Sequence, residues 1–154
     1  MTALSSLSVS STTGNLTFGS EADLQSTTST ALEATTGFVV FDVDCKLHAN
    51  SSLTMTTTSG SMELGARCTV TGEVDVTVTS SSGSVDIGED LVLSAVTGKA
   101  EFAIPSGSVT VGNSFSMTSG GDLVVGAATG TVSLGSFGVM ACGDDLSMST
   151  TTTT

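Results

Sequence analysis

Glycine recurs along the chain at a nearly constant spacing, and this periodicity restricts the fold more than any other feature of the sequence. Successive members of the set are 23 residues apart, except for one interval of 24. A fixed period of roughly 20–50 residues is typical of repeat architectures. The repeats begin at Gly14, Gly37, Gly60, Gly83, Gly107 and Gly130. With each of these glycines numbered site 1, residues 1–13 form a partial repeat that carries sites 11–23, and the one extra residue falls before Lys99.

Apolar residues occupy the same sites in every repeat. In the repeat that begins at Gly83, Val85 and Ile87 take sites 3 and 5, and Leu91 and Leu93 take sites 9 and 11. Sites 17 and 19 follow the same rule, and the two departures in the apolar columns are Thr30 and Gly138. A spacing of two is the periodicity of a strand. We therefore expect three short strands per repeat, separated by corners. Site 6 carries glycine, with Asp42 as the one departure, and site 13 always carries a small residue, which lets the chain turn sharply.

Three strands and three corners predict a roughly triangular coil. One coil cannot bury its inward face, but stacked coils share a continuous core. The fold class predicted is all-β, a parallel β-solenoid with 23-residue coils, and residues 1–154 form a single domain. The sole proline, Pro105, falls at a corner, where it does not interrupt a hydrogen-bond ladder.

The charged residues give an independent check of this register. Parallel stacking places equivalent sites of successive coils side by side, where opposite charges attract. Five of the six neighbours of the three basic residues are acidic, although only 15 of the 154 residues are acidic. The predicted charge ladders are Asp44, Arg67 and Asp90 at site 8; Asp75, Lys99 and Asp122 at site 16; and Asp23 with Lys46 at site 10. Exposed pairs contribute little stability, so we expect the ladders to specify register.

Composition excludes several classes of protein. Three basic residues and a net charge of -12 argue against binding to the phosphate backbone of a nucleic acid. A mean hydropathy of +0.37 argues against a disordered chain, despite its many serines and threonines. No apolar stretch approaches the roughly 18 residues of a membrane-spanning segment. Residues 1–10 show no signal-peptide pattern.

The repeat motif, as in Gly83-Ser84-Val85-Asp86-Ile87-Gly88, resembles that of the parallel β-solenoid class. This class includes secreted adhesin and fibre repeats and threonine-rich ice-binding solenoids. The resemblance extends over essentially the whole chain and is one of architecture. The motif is shared by proteins of unrelated function, so the resemblance implies the fold and does not specify an activity.

Two cysteines, Cys45 and Cys68, occupy site 9 in adjacent coils and point inward in the predicted register. They are either free thiols of the core or a disulfide, since adjacent coils place Cα atoms within bridging range. Their surroundings do not match the ligand spacing of a zinc site. The sequons at Asn15 and Asn50 are candidate N-glycosylation sites, which makes glycans candidate partners. Site 23 always carries Ser or Thr, for O-glycosylation or for hydrogen bonds within the turn.

The sequence offers no catalytic constellation. His48 is the only histidine, and the acidic pairs Glu89-Asp90 and Asp144-Asp145 lie in predicted turns. We therefore expect a protein that is not an enzyme and that has no catalytic residue, metal or cofactor. A carbohydrate-active β-helix enzyme is the least favoured alternative.

An outward array of threonines supports a different alternative. Thr54, Thr56, Thr77 and Thr79 form a Thr-x-Thr pattern on two adjacent coils, as on an ice-binding surface. The neighbouring coils interrupt this pattern. An ice-binding or other ligand-binding solenoid therefore remains an alternative to a structural protein.

The two ends of the solenoid are the candidate assembly sites. Leu7 and Val9 occupy sites 17 and 19 in the first coil, and Leu146 and Met148 occupy the same sites in the last. Open ends expose strand edges, and the sequence shows no amphipathic capping helix. Either the ends stack on other copies, or the chain is part of a longer solenoid, and both favour a structural role. We therefore expect the chain to be its own partner, a subunit of an extracellular or cell-surface fibre that stacks end to end.

Overall fold

The computed structural model describes residues 1–150. Within them all regular secondary structure is β-strand, and there is no helix. The strands are β1 Thr2–Ala3, β2 Leu7–Ser11, β3 Leu16–Phe18, β4 Asp23–Ser26, β5 Thr30–Ala34, β6 Val39–Phe41, β7 Lys46–Ala49, β8 Leu53–Thr57, β9 Met62–Leu64, β10 Thr69–Gly72, β11 Val76–Ser80, β12 Val85–Ile87, β13 Val92–Ala95, β14 Ala100–Ile104, β15 Val109–Val111, β16 Ser116–Ser119, β17 Leu123–Ala127, β18 Val132–Leu134, β19 Val139–Cys142 and β20 Leu146–Thr150.

The strands form three parallel sheets that run along the solenoid. Sheet A has the order β1-β4-β7-β10-β13-β16-β19, sheet B the order β2-β5-β8-β11-β14-β17-β20, and sheet C the order β3-β6-β9-β12-β15-β18. Each strand pairs in parallel with the equivalent strand of the next coil, as where Val85 lies beside Val109. The parallel β-solenoid with three strands per coil and about 23 residues per turn is thus confirmed.

The core lies between the three sheets and explains both departures from the apolar columns. The interior side chains at sites 17 and 19, such as Val76 and Val78, are completely buried. Thr30 is buried as well, and its hydroxyl shares a hydrogen bond of 2.8 Å with that of Ser26. At Gly138, a Cβ atom would overlap the ring of Phe115 from the preceding coil. The glycine therefore leaves room for a large neighbour.

The site-1 glycines have a different role from turning the chain. No glycine in the described residues has a positive φ. A Cβ atom on Gly83 would instead overlap the carbonyl oxygen of Gly60, and the same overlap recurs at every other site-1 glycine except Gly14. At site 6, Gly65, Gly88, Gly112 and Gly135 are also crowded by the backbone of the preceding coil, whereas a Cβ atom on Gly19 would meet nothing within 4 Å. Glycine at site 6 therefore avoids a clash of its Cβ atom with the coil below and does not serve a left-handed turn, and Asp42 shows that a side chain is also accepted at this site.

The left-handed turn of each coil lies at site 8, where no glycine occurs. Positive φ angles, between 57° and 61°, are found at Glu21, Asp44, Arg67, Asp90, Ser114 and Phe137. This conformation costs a residue with a Cβ atom about 1–2 kcal/mol. The stacked coils impose the same backbone on six unrelated side chains.

Replacement of one site-1 glycine in an interior coil should destabilise the protein far more than replacement of Gly14, the first site-1 glycine. In Gly83→Ala the new methyl group would strike the Gly60 carbonyl, and we expect a loss of about 1–3 kcal/mol of unfolding free energy. In Gly14→Ala the methyl group would have Ser11 Oγ as its neighbour at 3.5 Å. That variant should be neutral or up to about 1 kcal/mol more stable. Urea denaturation of both variants measures the difference, and equal effects would contradict the close-approach explanation.

Relief of the left-handed backbone should stabilise the solenoid. Ser114 is exposed and has a φ of 58°, so Ser114→Gly should raise the unfolding free energy by about 1 kcal/mol. The control is Ser116→Gly, two residues later in strand β16, which should lower stability because extended backbone gains nothing from glycine. Thermal melting of the two variants checks the sign of each effect, and destabilisation by Ser114→Gly would refute the assignment of strain to site 8.

Candidate functional site

The site-8 corner holds the best-formed ion pair of the described residues. Arg67 donates two hydrogen bonds to the Asp44 carboxylate, from Nε to Oδ1 at 2.7 Å and from Nη2 to Oδ2 at 2.8 Å. These bonds lower the pKa of Asp44 below its usual 3.8 and raise the pKa of Arg67. Asp90 and Glu89 add a weaker attraction to the guanidinium. The pair is largely exposed, so salt screens it.

The site-16 residues differ from the predicted ladder. The Lys99 ammonium contacts the Glu101 carboxylate at 3.0 Å, and not Asp75 or Asp122. The Asp75 carboxylate instead accepts the Lys99 backbone amide at 2.8 Å. Asp122 in the same way accepts the amide of Asp145 at 3.2 Å. The aspartates at this corner therefore bind the backbone of the next coil, which leaves the Lys99 side chain free to reach along its own strand.

The site-10 pair lies in register without a direct ion pair. Asp23 lies beside Lys46 in the pairing of strands β4 and β7. Its carboxylate accepts hydrogen bonds from the Gln25 side-chain amide at 3.0 Å to each oxygen. The carboxylate of Asp23, which the sequence predicted to pair with Lys46, is therefore hydrogen-bonded to Gln25 of its own strand.

Hydroxyl groups at site 23 bind the backbone of the preceding coil. Thr36, Ser59 and Ser82 donate to the carbonyl groups of Thr12, Thr35 and Thr58 at 2.9, 3.0 and 3.0 Å. Thr129 donates to the Pro105 carbonyl at 3.2 Å. In these four coils the site-23 hydroxyl therefore has a structural role, with carbonyl acceptors where the sequence suggested turn amides, and Thr152 lies outside the described residues.

Both candidate glycosylation residues are exposed, and both have hydrogen-bond partners. Asn15 Oδ1 accepts the Phe38 amide of the next coil at 3.0 Å. Asn50 Oδ1 lies 2.8 Å from His48 Nε2. Asn15 therefore links two coils through its oxygen, and modification of either residue remains a prediction.

All three cysteines are free thiols. Cys45 and Cys68 are buried, and each Sγ contacts a carbonyl of the coil below, Gly19 at 3.4 Å and Asp42 at 3.3 Å respectively. Burial raises the pKa of the Cys68 thiol to about 11. A thiol with so high a pKa is a poor nucleophile and metal ligand. The structure therefore shows these two residues as core thiols and not as the disulfide that the sequence left open.

An acidic groove of about 580 Å³ runs along sheet C, and Glu63 and Asp86 lie in its lining. These two carboxylates are register partners in strands β9 and β12. The single histidine, His48, lies in strand β7 of sheet A. No group of three or more His, Cys, Asp or Glu side chains within residues 1–150 is arranged to hold a metal ion.

The threonine array is in register but short. Thr54 lies beside Thr77, and Thr56 lies beside Thr79, on the outward side of sheet B. The adjacent coils on either side interrupt the array, since Glu33 lies opposite Thr56 and Glu101 lies opposite Thr77. The array therefore spans two coils, about 5 Å along the solenoid axis.

The last coil presents the largest exposed part of the core. Leu146 and Met148 are 50% and 49% exposed, whereas Leu123 and Val125, one coil below, are completely buried. At the other end, Leu7 is nearly buried and Val9 half-buried. The end of the solenoid that carries strand β20 is thus an apolar surface bordered by a strand edge.

The backbone at both ends has hydrogen-bonding groups that point along the axis. The Leu7 amide donates to the Ser29 carbonyl in the next coil. Because successive amides of a strand point in opposite directions, the Ser8 amide points along the solenoid axis away from the other coils. At the other end, the Leu146 amide occupies the position from which Leu123 donates to Asp145. The two edges therefore carry complementary donors and acceptors.

No protein-family model, curated protein or solved structure matches this chain. The structure contains no helix in residues 1–150 that is long and apolar enough to cross a bilayer. Any functional assignment therefore depends on the geometry of the solenoid.

Charge reversal at the site-8 corner should destabilise the protein more than truncation. Arg67→Glu places a third acid between Asp44 and Asp90, whereas Arg67→Ala only removes the pair with Asp44. Because the pKa of Asp44 is lowered in the folded state, the pair stabilises above about pH 4 and this contribution disappears as the pH falls. The difference in melting temperature between wild type and Arg67→Ala should therefore shrink at about pH 3 and in high salt. Equal melting temperatures of the two variants at pH 7 would show that Asp90 has no electrostatic interaction with the side chain at position 67.

Proposed function

We propose that this chain is a non-enzymatic structural protein, the subunit of an extracellular or cell-surface fibre in which copies stack end to end. The observation that carries the proposal is the exposed cross-section of the last coil, where Leu146 and Met148 are about half exposed. Their counterparts at sites 17 and 19 of the first coil are Leu7 and Val9. A second copy therefore offers apolar side chains for the same columns, on strands that run in the same direction.

The backbone supports this contact strand by strand. Continuation of the pairing pattern places strand β2 of one copy on β20 of another, and β1 on β19. The outward Ser8 amide would then donate to the Leu146 carbonyl, and the Leu146 amide to the Ser6 carbonyl, as Leu123 donates to Asp145 within the chain. Such a contact satisfies the edge groups of sheets A and B in the same way as an interior step of the solenoid does.

The side chains at this junction contain no opposed like charges. In register, Ser5 and Ser6 of one copy lie over Asp144 and Asp145 of the other. Hydroxyl groups suit this position because aspartate oxygens accept hydrogen bonds. The net charge of -12 still repels whole copies, so salt should promote assembly. Head-to-tail contact does not close on itself and produces a filament.

Proline at position 8 should block growth of the filament without unfolding the subunit. Ser8→Pro removes the outward amide and places ring atoms at the edge, while interior ladders are untouched. Ser8→Ala, which keeps the amide, is the matched control and should assemble like wild type. Sedimentation at equal concentration, with circular dichroism to verify folding, compares the three proteins. A wild type that stays monomeric at high concentration and salt, or full assembly of folded Ser8→Pro, would disprove end-to-end stacking.

A further inference from the structure

The outward side of sheet A changes its chemical character along the solenoid. Strands β4 and β7 carry Asp23 and Lys46 at their outward positions. Strands β10, β13, β16 and β19 contain no charged residue, although the chain has a net charge of -12. We call the outward side of these four strands, at sites 10 and 12, the neutral face. Its residues on the first three strands are Thr69, Thr71, Val92, Ser94, Ser116 and Thr118.

Apolar side chains are exposed on the neutral face and along its border. Val92 on β13 is 46% exposed, and Val96, at the corner after the same strand, is 47% exposed. Val92 has Thr69 and Ser116 as register partners, so coils lie on both sides of it and its exposure does not arise from the end of the solenoid. Exposed apolar groups among uncharged hydroxyls are suited to a dry contact between two sheets.

The charge of the molecule restricts how two copies can approach each other. The other two sheets carry acids at outward positions of interior strands, such as Asp86 on β12 and Glu101 on β14. Contact through those faces would bring acids of two highly negative molecules together. Contact through the neutral face avoids this repulsion, because no strand of that face contributes an acid.

A two-fold axis parallel to the solenoid axis makes the neutral face self-complementary. It places each coil beside the same coil of the second copy with the strands reversed, so that site 10 faces site 12 and site 8 faces site 14. Thr69 of one copy then faces Thr71 of the other, and each hydroxyl can donate or accept a hydrogen bond. At the border, Arg67 of each copy faces Glu73 of the other.

The remaining charges are compatible with this parallel arrangement. No acid faces an acid at any of sites 8–14, and Asp23 faces Gln25. If the two solenoids were antiparallel, the neutral coils would coincide only with Arg67 facing Phe137, and Glu73 would then have no cation opposite it. Charge complementarity therefore favours parallel copies.

The neutral face is too small to hold two isolated copies together. Four strands about 4.8 Å apart and seven residues of about 3.3 Å each give roughly 440 Å² per copy. A stable interface buries about 800 Å² per partner. In a filament the same contact recurs at every subunit, and the linked contacts act together. We therefore expect pairing of filaments and not of free subunits.

We propose that the neutral face of sheet A is a lateral interface, through which a filament binds a second, parallel filament of the same chain. This inference rests on the proposed end-to-end assembly and adds its lateral partner. Threonine, serine and valine side chains form the contact, and the Arg67–Glu73 pairs set the direction of one filament relative to the other.

A lysine placed on the neutral face tests the inference. Ser94→Lys puts an ammonium group within the contact, and the register neighbours Thr71 and Thr118 offer it no acid. The matched control is Thr110→Lys, at the outward position of β15 in sheet C, which changes the net charge equally. By electron microscopy, filaments of wild type and Thr110→Lys should have twice the mass per unit length of Ser94→Lys filaments, because two copies share each level. Circular dichroism verifies that each variant is folded.

Glu73→Lys tests the direction of pairing at a corner, where no strand is altered. It places lysine opposite Arg67, so we expect single filaments, and paired filaments of this variant would overturn the parallel arrangement. Equal mass per unit length for wild type and Ser94→Lys filaments would show that the neutral face has another occupant or none. That result would overturn the lateral interface and leave end-to-end stacking intact. The absence of filaments for every protein would overturn both proposals.

Discussion

The close parallel pairing of successive coils is the constraint on which the rest of this structure depends. A strand spacing of about 4.8 Å is ordinary for a sheet, but here the corners must approach as closely as the strands do. At site 1 this leaves no space for a Cβ atom above the carbonyl of the coil below. Any side chain there would separate the coils and weaken three ladders at once. The regular spacing of glycine in the sequence therefore marks the positions at which the backbones of successive coils are in contact.

Polar side chains adapt to the same constraint. Corners interrupt the strand ladders, so their backbone groups need other partners. The hydroxyl of Ser82 serves the carbonyl of Thr58, and the carboxylate of Asp75 serves the amide of Lys99. Each bond joins one coil to the next. A chain rich in serine and threonine can thus form an ordered solenoid, because many of its hydroxyl groups replace backbone partners that the turns remove.

The sequence was sufficient for the fold because strand periodicity and the glycine period agree on one register. It was less informative about individual sites. The left-handed backbone at site 8 could not be predicted, since residues as different as Arg67 and Phe137 share it and none is glycine. The predicted ion pairing of Lys99 was wrong because residues at the same site of adjacent coils were assumed to pair through their side chains. The Lys99 ammonium contacts Glu101 instead, and Asp75 accepts the Lys99 backbone amide. Thr30 and Gly138 appeared as defects in the pattern, but each compensates for a neighbour, Ser26 or Phe115, whose position only the packing reveals.

Exposed strand edges are a risk for any solenoid, because they recruit strands that match. In this solenoid the close approach of successive coils restricts what can match. A segment that lies over a site-1 corner must carry glycine there, because a Cβ atom would overlap the carbonyl oxygen of the coil below, as it would at Gly130 over Gly107. Apolar side chains must also fall in the interior columns, as Val76 and Val78 do at sites 17 and 19. The same close approach that fixes the register inside the chain therefore restricts which strands can extend it.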